Sequence, residues 1–264
     1  MSSETGSSTQ SSKPAPGRGI GILYNRYTTT SALANVDVNQ TLDWTKAYMK
    51  DNFSAFLPRD KSARILEIGC GYGRNLLALQ ALGYTNTQGI DLSGEQVSYA
   101  QHTLGLGQVQ QADALEWLQQ AEPGFACILL IDVLEHLDLD TLMALGELMH
   151  EKLAPGGRVI VQVPNDLSPL NPFRMGDLTH VRAFTSQSLQ QFFSSVGLDM
   201  IASDSALPAR RGVGLLRRWL WRLVFNPGFS LLFFLLHGRA TFTTVFTANI
   251  LAVGHKPAKA ELDQ

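Results

Sequence analysis

Two short runs hold the residues best placed to do chemistry. In "DVLEH", Asp132, Glu135 and His136 bring two carboxylates and an imidazole to one side of a turn. That donor set suits several divalent ions. The spacing also reads as a capping box with Asp in place of Ser or Thr, so the run has a purely structural alternative. In "NPFRMGDLTHVRAFT", His180 can titrate near neutrality, and Asp177, three residues earlier, stands where it could fix the imidazole tautomer. His180 with Asp177 is therefore a candidate general base, with His136 as the competing imidazole. The structural alternative is a turn ahead of a helix starting near Ser186.

Such groups need a rigid frame. It begins at "RILEIGCGYGRNLLAL" (64–79), which packs three glycines into five residues between apolar runs. Gly69, Gly71 and Gly73 allow φ > 0 and let backbone N–H groups approach a ligand more closely than any Cβ permits. Downstream, "TQGIDLS" is a strand ending at Asp91, "GEQVSYAQHTLG" a helix, and "VQQADALEWLQQA" a short strand and helix. "FACILLIDVLEHL" is a buried strand running into a helix that "LMALGELMHEKLAPGG" closes at Pro-Gly-Gly, and "RVIVQVPN" is a fifth strand. "LDMIASDSAL" and "TTVFTANILAVGHK" are two more, the last of them antiparallel, and "VDVNQTLDWTKAYMKDNFSAFL" is an amphipathic helix covering the sheet before the first strand. Strands alternating with helices imply right-handed crossovers and a mostly parallel sheet with helices on both faces. In such folds a ligand sits beyond the carboxyl ends of the strands, where the glycine loop falls. A dinucleotide fingerprint is excluded, since its third glycine would land on Arg74.

"EIGCGYG" resembles the E/D-x-G-x-G-x-G signature of class I S-adenosylmethionine-dependent methyltransferases. "GIDLS", "QADA", "IDVLEHL" and "LAPGGRVIVQVPN" agree with it in order and spacing over roughly residues 60–200. The resemblance implies a Rossmann-like, seven-stranded α/β fold with S-adenosyl-L-methionine as cofactor. It also implies that Glu67 and the Gly69–Gly73 backbone hold the methionine part, that Asp91 takes the ribose hydroxyls with Leu92 against adenine, and that Asp113 takes the adenine amino group with Ala114 beside it. Asp132 is expected among the cofactor-binding residues as well. Glu67 as a strand-end cap and Asp91 as turn chemistry ahead of the N-cap Ser93 are the structural alternatives. The "DVLEH" run is similar to the acid-x-x-Glu-His set of ubiquinone-pathway O-methyltransferases, which can hold a divalent metal, with Asp132 departing from their Glu. No metal is assigned on this basis; Asp132, Glu135 and His136 would be its ligands. The "DLTH" run, with "YNRY" (Tyr24, Tyr27) near the N-terminus, resembles methyltransferases encoded with polysaccharide-biosynthesis genes.

Composition bounds the rest. A chain of 264 residues, 45% hydrophobic, can bury one substantial core. Residues 1–19 are a Ser/Thr/Gly/Pro tail with no apolar h-region, so they are expected to be disordered rather than a signal peptide. Cys70 and Cys127 make no disulfide framework, which fits a reducing, cytoplasmic compartment. Charge is uneven: no acidic residue occurs between Asp204 and Glu261, where Arg210, Arg211, Arg217, Arg218, Arg222, Arg239, Lys256 and Lys259 fall. An anionic partner is expected there. "VGLLRRWLWRLVFNPGFSLLFFLLHGR" is broken by arginines and Asn-Pro-Gly, and "FSLLFFLL" alone is too short for a bilayer. Residues 210–239 are thus expected to lie on an anionic membrane surface, or else to form a lid or dimer contact, and not to bind nucleic acid.

The expected organisation is one methyltransferase domain over 20–257, with a helical cap at 20–60, a basic apolar insertion at 205–240 and a C-terminal tail at 258–264. The expected reaction is O-methylation of a saccharide or lipid-linked saccharide hydroxyl by a cytoplasmic protein peripheral to a membrane's inner face. An apolar phenol such as a polyprenyl quinone precursor is the alternative acceptor. A membrane-associated protein that binds the cofactor without turnover is the alternative from another class.

Overall fold

The computed structural model describes residues 38–169, 171, 177–238 and 245–258. The expected N-terminal tail, Tyr24, Tyr27 and most of the C-terminal tail lie outside the described residues. Seven strands form one sheet in the order β3-β2-β1-β4-β5-β7-β6. They are β1 (Ile65–Ile68), β2 (Thr87–Asp91), β3 (Val109–Gln111), β4 (Phe125–Ile131), β5 (Leu153–Pro164), β6 (Asp199–Ser205) and β7 (Asn249–His255). The first five run parallel, and β7 lies antiparallel between β5 and β6. The mostly parallel sheet is what the order of elements predicts, and its seven strands are what the resemblance implies.

The helices are α1 (Val38–Asn52), α2 (Arg74–Ala81), α3 (Gly94–His102), α4 (Ala114–Gln120), α5 (Leu139–Lys152), α6 (Ser186–Ser195), α7 (Val213–Leu220) and α8 (Asn226–His237). Side chains alternate across each strand, so the central strands feed two cores. On one side Ile65, Leu129 and Ile160 meet Met49 of α1, Leu76 and Leu79 of α2 and Val97 of α3. On the other, Leu66, Leu130 and Val161 meet Leu118 of α4, Leu145 and Met149 of α5 and Phe192 of α6.

Register fixes where the insertion emerges. Pro164 at the end of β5 pairs with Asn249 at the start of β7, and Ser205 at the end of β6 pairs with Ile250. The chain therefore leaves β6 and re-enters β7 at the end of the sheet where the parallel strands finish, which is the ligand end.

Three local expectations change. The helix expected directly after β4 is a 3-10 turn, Leu134–His136, followed by a new helix capped by Asp138, whose Oδ1 accepts the Thr141 N–H at 2.9 Å. Asp132 sits at φ 57°, in the left-handed region where it cannot N-cap, so the capping-box reading of Asp132 and Glu135 is overturned. Helix α5 stops at Lys152 rather than at Pro-Gly-Gly, which lies inside β5 at a register shift opposite Phe125 and Cys127. Finally, Asn226-Pro227-Gly228 does not break the insertion. A π turn, Trp221–Phe225, joins α7 to α8 into one 25-residue helix, Val213–His237. Pro227 lacks an N–H and its ring crowds the carbonyl four residues back; the wider turn just before it relieves both. By length and composition that helix could cross a membrane, unlike "FSLLFFLL" alone.

Candidate active site

The loop between β1 and α2 is built on three glycines with positive φ: Gly69 at 70°, Gly71 at 55° and Gly73 at 83°. Space is as restrictive as conformation. A Cβ on Gly69 would lie 2.4 Å from Val133 Cγ2, and one on Gly73 2.4 Å from Leu106 Cδ1. The loop is tied to β2 through Asp91, whose Oδ2 accepts the Gly71 N–H at 2.7 Å and whose Oδ1 accepts the Ser93 N–H at 2.8 Å. Ser93 caps α3 in turn. Turn chemistry and a ligand role are thus compatible at Asp91, because each carboxylate oxygen keeps a further lone pair. Burial raises the Asp91 pKa, and the two N–H bonds only partly counter it.

Glu67, at the end of β1, is fully buried. Oε1 accepts from Asn75 Nδ2 at 2.6 Å, while Oε2 has no hydrogen-bond partner. Desolvation pushes its pKa up to about 8. Leu92 follows Asp91 and is 51% exposed. Asp113 caps α4, Oδ1 accepting from Leu115 N and Glu116 N at 2.8 and 3.1 Å, with Ala114 as the first helical residue.

Asp132 opens onto the cleft beyond β4 while protein atoms crowd its carboxylate. That desolvation raises its pKa, against a bond from Gln162 Nε2 at 3.2 Å and the charges of Arg74 and His180. The amide of the same Gln162 accepts from Tyr48 Oη on α1 at 2.6 Å. A non-glycine residue in the left-handed region is strained, and such strain persists only where surrounding contacts enforce it.

The second constellation forms where the 3-10 turn meets the loop after β5. Glu135, 1% exposed, holds its chain in place through its own carbonyl, which accepts from Val181 N and Arg182 N. Its two carboxylate oxygens make no hydrogen bond, and Oε1 lies 4.0 Å from His180 Nε2. Burial, and then the nearby charge of Asp132, pushes the Glu135 pKa well up. The His136 and His180 rings meet edge to face at 4.7 Å. Asp177 acts on Thr179, taking its N–H at 2.8 Å and its hydroxyl at 2.6 Å; the same hydroxyl lies 2.7 Å from His136 Nδ1. Asp177 thus reaches the imidazole of His136 through Thr179. Desolvation and the neighbouring His180 lower the His136 pKa. Glu135, His136 and His180 offer ligand atoms all within 4.8 Å of one another, a cation-capable trio in which His180 stands where the sequence suggested Asp132.

Four further residues belong here. Asn75 and Gln162 orient the acids, Thr179 links Asp177 to His136, and Tyr48 of α1 holds Gln162 through its hydroxyl. Thr179 lies inside the quoted "DLTH" run, but a contact such as Tyr48 to Gln162 spans 114 positions and leaves no local signal.

A doubly wound sheet with a glycine loop after its first strand and an acid ending its second defines a nucleoside-binding α/β protein. A family model described as a methyltransferase domain matches residues 42–203, and the chain belongs to that family. It is an S-adenosylmethionine-dependent methyltransferase. Its fold is shared with an S-adenosylmethionine-dependent methyltransferase from Archaeoglobus fulgidus at TM-score 0.59 and 19% identity, covering 89% of this chain and 99% of that one. Phosphoethanolamine N-methyltransferase 2 of Haemonchus contortus, solved with S-adenosyl-L-methionine, aligns at TM-score 0.54 and 17% identity, over 90% of this chain and 57% of that one. The mitomycin 7-O-methyltransferase aligns at TM-score 0.56 and 16% identity, over 91% and 62%. No curated protein sequence matches the chain.

The residues present fit this cofactor. A buried carboxylate with one orphaned oxygen suits an ammonium, and the cradle at Gly69 and Gly73 has no room for a Cβ.

Proposed function

We propose that the chain transfers the methyl group to a hydroxyl of a saccharide or lipid-linked saccharide. The cofactor, when bound, supplies an activated methyl on a sulfonium. What the chain must add is orientation and a place for the hydroxyl proton. The observation that carries the reading is the cluster of buried Glu135 with the half-buried His136 and His180 beside Asp132, at the ligand end of β4. His180 takes the proton at Nε2. Glu135 faces the resulting imidazolium, whose charge favours the ionised carboxylate that burial alone disfavours. Glu67 holds the amino group of the methionine part, Gly69, Gly71 and Gly73 line it, and Asp91 holds the ribose with Leu92 against the base. Asp113 with Ala114 flanks the adenine, and Asp132 closes the site toward the acceptor.

The insertion supports an acceptor presented at a membrane, because the chain leaves β6 for this apolar helix and re-enters β7 at the ligand end of the sheet. On this reading the protein is cytoplasmic and peripheral. A second reading, an apolar phenol such as a polyprenyl quinone precursor, is favoured by the cation-capable trio.

The test is turnover by the full chain with labelled donor against lipid-linked saccharides and against polyprenyl phenols, each with EDTA and with Mg²⁺ added back. Labelled saccharide formed equally in EDTA supports the first reading. Labelled phenol, lost in EDTA and restored by Mg²⁺, supports the second. Donor binding with no product from either pool would overturn both.

A proton balance tests Glu67 separately. At neutral pH a carboxyl with a pKa of about 8 is mostly protonated. An ammonium docking on Oε2 favours the ionised form, so binding of S-adenosylhomocysteine at pH 7 is expected to release about one proton. Calorimetry in buffers of different ionisation enthalpy measures it, and Glu67→Gln should abolish the release. The sign for the free protein is opposite to that of a salt-bridged acid. Folded Glu67 keeps its proton to about 8 while an unfolded glutamate loses it near 4.5, so the free fold loses stability as pH rises through that window.

A further inference from the structure

A groove of about 280 Å³ lies along the first half of the insertion helix, away from the cofactor loop. Arg210, Leu215, Arg218, Trp219, Arg222 and Leu223 line it. Five of these recur at i, i+3, i+4, i+7 and i+8, one face of the helix, and Arg210 comes from the turn before it. Three guanidinium groups, an indole and two leucines face one space, with no carboxylate in the lining.

The groove is built rather than incidental. Arg218 is 5% exposed and pinned: its guanidinium donates to the Pro208 carbonyl, to the Leu207 carbonyl at 3.4 Å and to Asn52 Oδ1 at 3.0 Å. Asp51 is the neighbouring acid, and its Oδ2 is engaged by the Arg210 backbone N–H at 2.6 Å. Among the described residues no carboxylate comes within ion-pair distance of the Arg210 or Arg222 side chain. Burial lowers the Arg218 pKa, and crowding by Arg210 and Arg222 adds to this against the opposing charge of Asp51. Like charges held this close favour an anion among them.

What brings the anion follows from the rest of the helix. Leu231, Leu232, Phe234, Leu235 and Leu236 are all exposed, Leu235 and Leu236 at 70%, so exposed apolar surface continues along α8 beyond the groove. The helix cannot cross a bilayer in this arrangement. Arg218 anchors one half, Phe229 and Phe233 pack on Phe246 at 5.9 and 6.0 Å, and the chain rejoins the domain at Val245. The seven steps from Gly238 to Val245 reach at most about 25 Å, short of the roughly 37 Å helix they would have to return along. The helix therefore lies flat with its apolar face outward. A second copy is a poor occupant, since a two-fold contact on this face would bring the groove arginines of both copies together with no carboxylate in the lining to pair with them. An anionic leaflet matches both the exposed apolar surface and the arginines.

We propose that this groove binds the phosphate of an anionic phospholipid headgroup, with the lipid's chains running beside the exposed leucines of α8. The proposal rests on the membrane-surface reading above and concerns a site separate from the acceptor pocket. It places the ligand end of the sheet against the leaflet, where a lipid-linked acceptor would be presented.

Two measurements on the full chain test it. Wild type should sediment with phosphatidylcholine vesicles containing phosphatidylglycerol, and much less with phosphatidylcholine alone. In titration calorimetry, soluble octyl phosphate should bind, and Arg222→Gln should weaken it about tenfold or more. Arg217→Gln, an exposed arginine outside the groove, should stay within about twofold, the two changes removing equal charge. S-adenosylhomocysteine binding confirms that each variant is folded. Equal losses for both variants would overturn the groove while leaving the membrane reading in place. Inorganic phosphate binding as tightly as octyl phosphate would overturn the lipid assignment in favour of a free-anion site. Failure of wild type to sediment with either vesicle would overturn the membrane reading and this proposal with it.

Discussion

Asp91→Ala is expected to weaken S-adenosylhomocysteine binding by about 10²-fold or more, to the limit of calorimetric detection. The substitution removes two things at once. One is the carboxylate to which the resemblance assigns both ribose hydroxyls, each a hydrogen bond to a charged group worth about 1.5–3 kcal/mol. The other is the acceptor that holds the Gly71 N–H at 2.7 Å and the Ser93 N–H at 2.8 Å, so the glycine loop and the start of α3 lose their common tie. The cost to folding should be smaller than the cost to binding, since burial already raises the Asp91 pKa and makes its charged form unfavourable in the free protein. Asp91→Asn separates the two contributions. It keeps one acceptor oxygen for the loop but cannot serve both hydroxyls as a carboxylate does, so its affinity should fall between wild type and Asp91→Ala. Wild-type affinity in Asp91→Ala would remove this residue from the cofactor site.

The glycine loop and its tie to β2 were legible in the sequence because their constraints are local. Positive φ with no room for a Cβ demands glycine, so Gly69, Gly71 and Gly73 show themselves by type, and Asp91 by its place at the end of an apolar run. The helix start near Ser186 was legible for the same reason, since Thr185 and Ser188 cap each other within one turn. The cluster of Glu135, His136 and His180 was less so. Asp132 with Glu135 matches a capping box in sequence, and only the φ of 57° shows that the chain turns the other way. That turn directs Glu135 toward His180, forty-five positions on, a pairing set by how the loop after β5 folds back onto the 3-10 turn. The insertion misled through Pro227. A proline in a helical pattern ordinarily marks a break, and the π turn that lets the helix continue has no sequence signature of its own.

His180→Ala should lower turnover by about 10²–10⁴-fold while leaving S-adenosylhomocysteine affinity within about twofold, since general-base removal acts on the chemical step and His180 lies outside the glycine loop. The geometry says why one imidazole should matter more than the other. His136 is tied at Nδ1 to the Thr179 hydroxyl, which is itself held by Asp177, and burial together with His180 lowers its pKa. His180 Nε2 instead faces Glu135 Oε1 across 4.0 Å, a buried carboxylate with neither oxygen hydrogen-bonded. A proton arriving on His180 thus meets a desolvated carboxyl that it draws toward ionisation, whereas one arriving on His136 meets a hydroxyl at Nδ1 with the charge of Asp177 behind it. His136→Ala should accordingly cost less than His180→Ala, and Glu135→Gln should shift the pH profile of turnover while preserving donor binding. The comparison also separates base from metal ligand. If His180 acts as a base, added imidazole should restore part of the His180→Ala activity, and EDTA should leave wild type unchanged. If the trio holds a cation, all three substitutions should raise the Mg²⁺ concentration needed for half-maximal turnover, and imidazole should restore nothing. Full activity in His180→Ala would exclude both roles and leave Thr179 and His180 as residues that shape the turn before α6.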